Sequence, residues 1–378
     1  MTHRSALLAL LTAFVFALVG AQASFAHDDH GGHRRHGHVV FVQTNELTGN
    51  EIAVYRRRHD GSLQRAGTYA TGGSGGAAAP GTESDRLASQ GSLAYDREHK
   101  LLIAVNAGSN TISVFRVRGP RLTLESVLPS GGQFPASIAV HDELVYVLNA
   151  GGAGSVQGFR IHHRRLSPLT GSARSLGLAN SSPPNFLMSP GQVGFTPDGG
   201  RLLVTTKAST SSIDVFQVGA DGRLSAAPVV NPSATPVPFA FTFDPVGRLV
   251  SGEAGASSVT TYRIEAGGTL TDPKSAGDGQ AALCWILKVR GFYFVSNTAS
   301  NNLSSFTIGG SGQPTLLAAV AATTNPGPID LASSGDFLYA ETGTNGTVDG
   351  FHVGSDGDLT PIGSVDDLPP GIEGIAAS

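Results

Sequence analysis

The chain repeats one pattern of hydrophobic and polar positions seven times. Each copy has an apolar run that ends near Asn, a loop rich in Gly, Ser and Thr, a short alternating segment that ends in Phe or Tyr, and a turn followed by Leu. Alternation with a period of two predicts β-strands joined by tight turns. The aromatic positions are Tyr55, Phe115, Phe159, Phe216, Tyr262, Phe306 and Phe351. The leucine positions are Leu63, Leu122, Leu166, Leu224, Leu270, Leu316 and Leu359.

Two turns in each copy define two hairpins. One turn carries pairs such as Asp60-Gly61 and Asp356-Gly357, and the other lies upstream, as in TPDGG at 196–200. Glycine tolerates the positive φ that a tight hairpin turn requires. Two hairpins in a unit of roughly 44 residues make four antiparallel strands, which is the size of one propeller blade. The sequence therefore predicts an all-β fold, a seven-bladed β-propeller of four-stranded antiparallel blades.

The first copy lacks the innermost strand that the other copies have, for example PFAFTF at 238–243. The segment GIEGIAAS at 371–378 can supply it. A C-terminal strand in the first blade closes the ring and removes open sheet edges. We thus expect one propeller domain over residues 39–378, with two Gly/Pro/Ser-rich insertions between blades, at 72–91 and 172–190, that form loops on one face.

The first 26 residues are typical of a signal peptide. Arg4 is followed by an apolar run at 6–20 and by the small-residue sites AQA and SFA, which predict cleavage after Ala23 or Ala26. The alternative, a membrane anchor, is disfavoured because an apolar run of about 15 residues is shorter than the roughly 20 that span a bilayer. We expect a secreted or periplasmic protein with no membrane association after cleavage. Twenty-one arginines against four lysines indicate a bacterial source.

Residues 27–38 form a histidine-rich leader that we expect to be disordered. His27, His30, His33 and His36 recur at every third position, which aligns imidazoles along one edge of an extended chain. Such a tract can hold Zn²⁺, Cu²⁺ or Ni²⁺ weakly. The alternative is a polar leader without any metal role. For the propeller itself we expect no metal site and no cofactor.

The net charge and the cysteine count limit the kinds of partner and covalent link that we expect. A net charge of -4 offers no basic field for phosphates, so a nucleic acid partner is not expected. The single cysteine, Cys284, excludes an intrachain disulfide. We expect a monomer whose partner is a small molecule.

The candidate site follows from the loops between the second and third strands, which a propeller gathers around one mouth of its central channel. These loops carry, in order, Asn45, Asn106, Asn149, Lys207, Glu253, Asn297 and Glu341. Asparagine commonly bonds its own turn, so the three charged residues stand out. They predict either solvated loop charges and salt bridges or a polar cluster that orients a small ligand. Ser92, Ser137, Gln192 and Asp330 enter inner strands and can face the same channel, where a carboxylate such as Asp330 has a tunable pKa.

Units such as 193–224 and 241–270 resemble the blades of the seven-bladed lactonase-type propellers, a family that includes 6-phosphogluconolactonase-like and carboxymuconate-cyclase-like proteins. The resemblance covers nearly the whole mature chain and implies that the acidic position of the family falls on Glu253. The histidine that the resemblance implies is replaced by Gly191 and Gln192, and the arginine or histidine that it implies before the next inner strand is likewise replaced in PVPFAF.

Two hypotheses remain open. In the first, an exported lactone hydrolase or cyclase-like enzyme uses Glu253, Lys207 and Asp330 as catalytic residues, while Glu341, Gln192 and Ser137 contact the ligand. In the second, the propeller is not catalytic and binds a small molecule, a glycan or another protein.

Overall fold

The computed structural model describes residues 38–80 and 83–378. The predicted signal peptide at 1–26 lies outside the described residues, and so does the predicted leader at 27–38 apart from His38. Export and metal binding by the leader therefore stay predictions. Within the described residues, no helix is long and apolar enough to cross a membrane.

The described chain is built from strands and turns, and its blades are numbered in chain order from the N-terminus. In the first half the strands are β1 (Val39–Gln43), β2 (Glu51–Arg57), β3 (Leu63–Ala70), β4 (Leu93–Asp96), β5 (Leu101–Asn106), β6 (Thr111–Arg118), β7 (Arg121–Pro129), β8 (Pro135–His141), β9 (Leu144–Asn149), β10 (Ser155–His162), β11 (Arg165–Pro168) and β12 (Arg174–Ser175). Blades 4 and 5 contain β13 (Gln192–Phe195), β14 (Arg201–Thr205), β15 (Ser212–Gln217), β16 (Val229–Pro232), β17 (Pro238–Phe243), β18 (Leu249–Glu253), β19 (Ser258–Ile264) and β20 (Leu270–Gly277). The remaining strands are β21 (Leu283–Val289), β22 (Phe292–Asn297), β23 (Asn302–Ile308), β24 (Pro314–Thr323), β25 (Pro328–Ser334), β26 (Phe337–Thr342), β27 (Thr347–Val353), β28 (Leu359–Val365) and β29 (Ile375–Ala377).

These strands form seven antiparallel sheets, and the predicted seven-bladed propeller is confirmed. Six sheets have four strands, and in five of them the strands follow each other in chain order. Blade 3 differs because the first residues of the second insertion form the short strand β12, which pairs with β10 beside β11. The outer edge of this blade is therefore shared by two short strands instead of one.

Closure by the C-terminal strand is also confirmed. Strand β29 pairs with β1 in the register Val40↔Ala377 and Val42↔Ile375, which completes blade 1. The innermost strands β29, β4, β8, β13, β17, β21 and β25 contact one another in that order around the ring, and β25 contacts β29. The ring of contacts between inner strands is therefore complete in the described residues.

The hydrophobic core is divided into seven clusters, each between two neighbouring blades. The cluster between blades 3 and 4, for example, combines Tyr146 and Leu148 with Phe216 and Leu224. The aromatic residue of each repeat lies on the third strand from the centre of its blade and is buried. This placement explains the repeat, because every blade contributes the same side chain to the packing against its neighbour.

The two insertions contact each other over one face of the ring. The Ala79 N–H donates to the carbonyl oxygen of Pro184 at 2.8 Å, and the Phe186 N–H donates to that of Ala79 at 3.3 Å. A further bond joins the second insertion to blade 4, from the Ala208 N–H to the Leu187 oxygen at 3.1 Å. The insertions thus share backbone pairing with each other and with the turns beneath them.

Candidate cavity at the channel mouth

A cavity of about 480 Å³ opens on the face where the second and third strands of the blades are joined. The turns of blades 4, 5 and 6 contribute Lys207, Ala254 and Thr298 to its wall. The insertions contribute Asp85 and Phe186. The predicted gathering of loops on one face is therefore what builds the cavity.

Most of the wall is apolar. Phe186 and Phe239 are the two aromatic side chains, and Phe239 packs on Trp285 with 4.7 Å between ring centroids. Leu187, at the opening, is 55% exposed. Cys284 also lines the cavity, and burial raises the pKa of its thiol, so the reactive thiolate is disfavoured.

Lys207 is the basic group of this wall, and only 1% of its surface is exposed. Its Nζ donates to the carbonyl oxygens of Ala88 at 2.6 Å and Phe186 at 2.8 Å, so it connects the two insertions. The ammonium also lies 5.0 Å from the ring centroid of Phe239. Burial lowers the pKa of Lys207 to about 8, and the nearby Asp85 is the main group that opposes this shift. The lysine is therefore largely charged at neutral pH, with a proton that is easier to remove than usual.

Asp85 is the acidic group of the wall and comes from the first insertion. Its Oδ1 accepts the N–H of Ala88 at 2.8 Å, and its carboxyl shares a hydrogen bond with Glu373. Burial raises the pKa of Asp85 to about 6, while Lys207 works against that shift. Burial, and after it the Asp85 carboxylate, raise the pKa of Glu373 well above its usual value. Glu373 consequently stays protonated near neutral pH, and its O–H donates a hydrogen bond to the ionised Asp85 carboxylate.

Two more acids extend this pair into what we name the carboxyl cluster, made of Asp85, Asp330, Glu341 and Glu373. Burial raises the pKa of Asp330 to about 7, although Oδ1 accepts the N–H of Leu331 at 2.9 Å. Burial, followed by the charge of Asp330, raises the pKa of Glu341. Glu341 Oε2 accepts the N–H of Gly374 at 2.9 Å, whereas its Oε1 has no hydrogen-bond partner among the described residues. Ionising any one member therefore disfavours ionisation of the next.

Glu253 does not line this cavity. It is the last residue of β18, fully buried, and its carboxylate accepts bonds from the Thr235 N–H at 3.0 Å and from the hydroxyls of Thr235, Thr260 and Tyr262. Burial raises its pKa, although these bonds favour the charged form. The prediction that Glu253 and Glu341 lie on loops is wrong, since Glu341 belongs to β26. Of the three charged positions, Lys207 alone lies in a turn.

The remaining predicted ligand contacts join inner strands of neighbouring blades. Ser137 Oγ donates to the Gln90 oxygen at 2.6 Å and accepts the N–H of Val193 at 3.2 Å. Gln192 Oε1 accepts the N–H of Phe241 at 2.6 Å. Neither side chain belongs to the cavity wall. Their interaction with a ligand stays a prediction.

The sequence analysis missed Asp85, Phe186 and Glu373. Asp85 and Phe186 lie inside the two insertions, and loops that interrupt a repeat often form its binding face. That signal could have identified them. No group of three or more His, Cys, Asp or Glu side chains in the described part of the chain is placed to hold a metal ion. The chemistry that this wall offers is an ammonium beside a carboxylate, set in an apolar cavity.

Several solved structures share the propeller fold of this chain. A Lactobacillus plantarum protein has 17% identity and a TM-score of 0.71, and the match covers 90% of this chain and 99% of that one. The periplasmic gluconolactonase of Pseudomonas aeruginosa has 18% identity and a TM-score of 0.68, over 89% and 98% of the two chains. A Bacteroides fragilis protein assigned as a 6-phosphogluconolactonase has 17% identity and a TM-score of 0.67, over 92% and 98%. The TM-scores show that these chains share a fold, and at identities this low the likeness shows the fold alone.

A family model matches part of the sequence. The family model described as lactonase, 7-bladed beta-propeller matches residues 28–169. Together with the seven blades, this match confirms the predicted resemblance to the lactonase-like seven-bladed propellers. No curated protein matches the sequence.

Proposed function

We propose that the cavity binds a small molecule with a lactone ring and that this protein hydrolyses it. The observation that carries the proposal is the buried pair of Lys207 and Asp85 in the wall of a cavity of about 480 Å³. Ligand sites are typically concave, mostly apolar and provided with a few polar groups that fix orientation. The lactonase-like family adds support for this class of ring.

Lactone hydrolysis needs an acceptor for the proton of water and a donor for the developing oxyanion. Asp85 takes a proton from water while the water oxygen forms a bond to the lactone carbonyl carbon. The Lys207 ammonium stabilises the negative oxygen of the tetrahedral intermediate. The bond between this carbon and the ring oxygen then breaks, and the ring oxygen takes the proton from Asp85. The product is one hydroxy acid, and the reverse sequence forms the lactone.

The surroundings of the pair suit these roles. The hydrogen bond from Glu373 stabilises ionised Asp85, which is the form that accepts a proton. Two of the three Nζ protons of Lys207 are donated to backbone oxygens, and we assign the third to the oxyanion. The two bonds also fix the position of the ammonium, which a preorganised oxyanion donor requires.

The test is hydrolysis of a panel of lactones by the mature protein, followed as acid release, with Lys207→Met and Asp85→Asn as variants. We expect each variant to lower kcat/KM by at least about tenfold, which corresponds to about 1.4 kcal/mol. Lys274→Met is the matched control, because Lys274 also bonds a backbone oxygen but lies on the outer strand β20. Thermal melting checks that the variants fold. Wild-type kcat/KM in both variants, or no hydrolysis by the parent protein, would overturn the proposal.

The second candidate is binding without catalysis. It is favoured by one observation, that Lys207 already connects the two insertions through backbone oxygens and so has a structural role as well. A lactone that binds in the cavity and is never opened supports this candidate. The glycan and protein partners of the sequence-based alternative stay predictions.

We also propose that the protein is exported. The support is the signal-peptide pattern of residues 1–26 and the structural likeness to a periplasmic gluconolactonase. N-terminal sequencing of the protein from its native host tests this, and an intact Met1 would contradict it.

A further inference from the structure

We propose that the preferred ligand is an uncharged lactone with a hydrocarbon substituent, in preference to a polyhydroxylated or phosphorylated sugar lactone. This inference rests on the proposed function, because it names the substrate class of the same cavity. It is carried by the chemistry of the wall.

The first argument is the shortage of polar groups. A sugar lactone has several hydroxyls, and each loses its bonds to water when the molecule enters a cavity. The side chains with N–H or O–H groups in the wall are those of Ser84, Lys207 and Thr298. Thr298 Oγ1 already donates to the Pro328 oxygen at 2.9 Å, and Lys207 donates to two carbonyls. Too few donors remain to replace the water around a polyol.

The second argument is charge. A bound phosphate is normally held by several arginine, lysine or backbone N–H donors. Among the described residues of the wall, Lys207 is the one cationic side chain, and Asp85 lies close enough to shift its pKa. The other acids of the carboxyl cluster are not wall residues, and they influence Asp85 or each other. A phosphate in this cavity would therefore meet a single ammonium with a carboxylate beside it, instead of the several cationic or N–H donors that normally hold a phosphate.

The third argument is the apolar surface that a hydrocarbon chain would cover. Phe186 and Phe239 flank the ammonium, with ring centroids 5.3 and 5.0 Å from Nζ, so a lactone carbonyl at Lys207 has aromatic walls beside it. Val237 continues the wall, and Leu187 lies at the opening. A substituent on the ring can extend from the ammonium along these residues towards Leu187. Leu187 is consequently a residue that determines specificity.

The experiment measures binding by calorimetry with δ-lactams, which keep the ring and carbonyl but resist hydrolysis. One series carries alkyl chains of increasing length, and the polar probes are gluconolactam and its 6-phosphate. We expect affinity to rise about two- to fourfold with each added methylene until the cavity is filled. Both polar probes should bind at least about tenfold more weakly than the best alkyl lactam.

Leu187→Arg places a charge at the opening and should weaken binding of the best alkyl lactam by at least about fivefold. Val246→Arg is the matched control, because Val246 is 72% exposed in the β17–β18 turn on the opposite face, and it should leave affinity unchanged. If a polar probe binds more tightly and Lys207→Met abolishes that binding, the substrate class is overturned while the cavity site stands. An affinity that does not change with the length of the alkyl chain also overturns the inference. If no lactone or lactam binds, the proposed function falls as well.

Discussion

Replacing Glu253 by Gln separates a structural role of this acid from a catalytic one. The carboxylate is fully buried, and Oε2 accepts three bonds, from the Thr235 N–H and from the hydroxyls of Thr235 and Thr260. Oε1 accepts the hydroxyl of Tyr262, whose own oxygen accepts the Ala234 N–H at 2.7 Å. Every contact around this carboxylate is therefore a donor directed at it.

Glutamine keeps the shape but can present only one acceptor atom. If its oxygen takes the place of Oε2, its NH₂ group faces the Tyr262 oxygen, and the hydroxyl proton loses its acceptor. One bond to a charged group is worth about 1.5–3 kcal/mol, and removal of a buried charge offsets part of that loss. We expect the free energy of unfolding to fall by about 2 kcal/mol, while ligand affinity and kcat/KM stay within about twofold of the parent.

Urea unfolding and thermal melting measure the loss, and the lactam titrations and the lactone assay measure function. Glu265→Gln is the matched control from the same blade, because Glu265 is exposed and bonds one hydroxyl, that of Thr271. That variant should change stability by no more than about 0.5 kcal/mol. A Glu253→Gln protein that melts like the parent but loses tenfold or more in turnover would refute the structural role and return Glu253 to the catalytic residues.

Three more predictions concern closure and titration. Deleting residues 371–378 removes β29 together with Glu373, so the protein should melt earlier and aggregate, as scanning calorimetry and light scattering would show; unchanged melting would mean that this segment does not close the ring. Burial raises the pKa of every member of the carboxyl cluster, so the folded state holds protons that the unfolded chain releases. Stability should therefore fall as the pH rises from about 5 to about 7, less steeply in Glu341→Gln, and a rise over this interval would contradict the placement of the cluster. The pH profile of kcat/KM should be bell-shaped, with a rise near pH 6 as Asp85 ionises and a fall near pH 8 as Lys207 loses its proton, and a profile that falls neither below pH 6 nor above pH 8 would argue against the pair.

The fold could be predicted because the pattern of one blade occurs seven times in the sequence. Aromatic residues such as Phe216 and Tyr262 recur at one point of each unit, and the structure places them in the third strand of successive blades. Glycines in the turns were equally informative, since Gly61 and Gly357 adopt φ values of 86° and 91°. The missing strand of the first copy pointed to 371–378 for the same reason, because a blade has a fixed number of strands.

The cavity could be predicted only in part, because it is built where the repeat is interrupted. Lys207 was found as a break in the asparagine positions. Asp85 and Glu373 have no counterparts in other units, and Glu373 meets the N–H of Leu87 across 286 positions of sequence. Pairing over such a separation depends on ring closure, which a pattern within one repeat cannot show.

Glu253 illustrates another limit. Side chains of a strand alternate between its two faces, and in β18 Leu249 packs towards blade 4 while Val250 packs towards blade 6. A shift of one position therefore decides which neighbouring blade a residue such as Glu253 faces. The sequence identified a charged residue at the end of the second strand of blade 5, but it did not show which way the side chain points. The structure directs it to Thr235 and Tyr262, away from the cavity wall.

The completion of blade 1 by the C-terminal strand also determines when the cavity wall can be complete during synthesis. A ribosome delivers Glu373 and β29 only after the strands β1 to β28 have been made. Until then the first insertion lacks the carboxyl that accepts the N–H groups of Leu87 and Ser89, and Asp85 lacks its proton donor. A nascent or interrupted chain can therefore contain every apolar residue of the wall and still have no working pocket. Binding of the proposed ligand should therefore require residues 371–378 to be paired with blade 1, and such binding would indicate that the ring is closed.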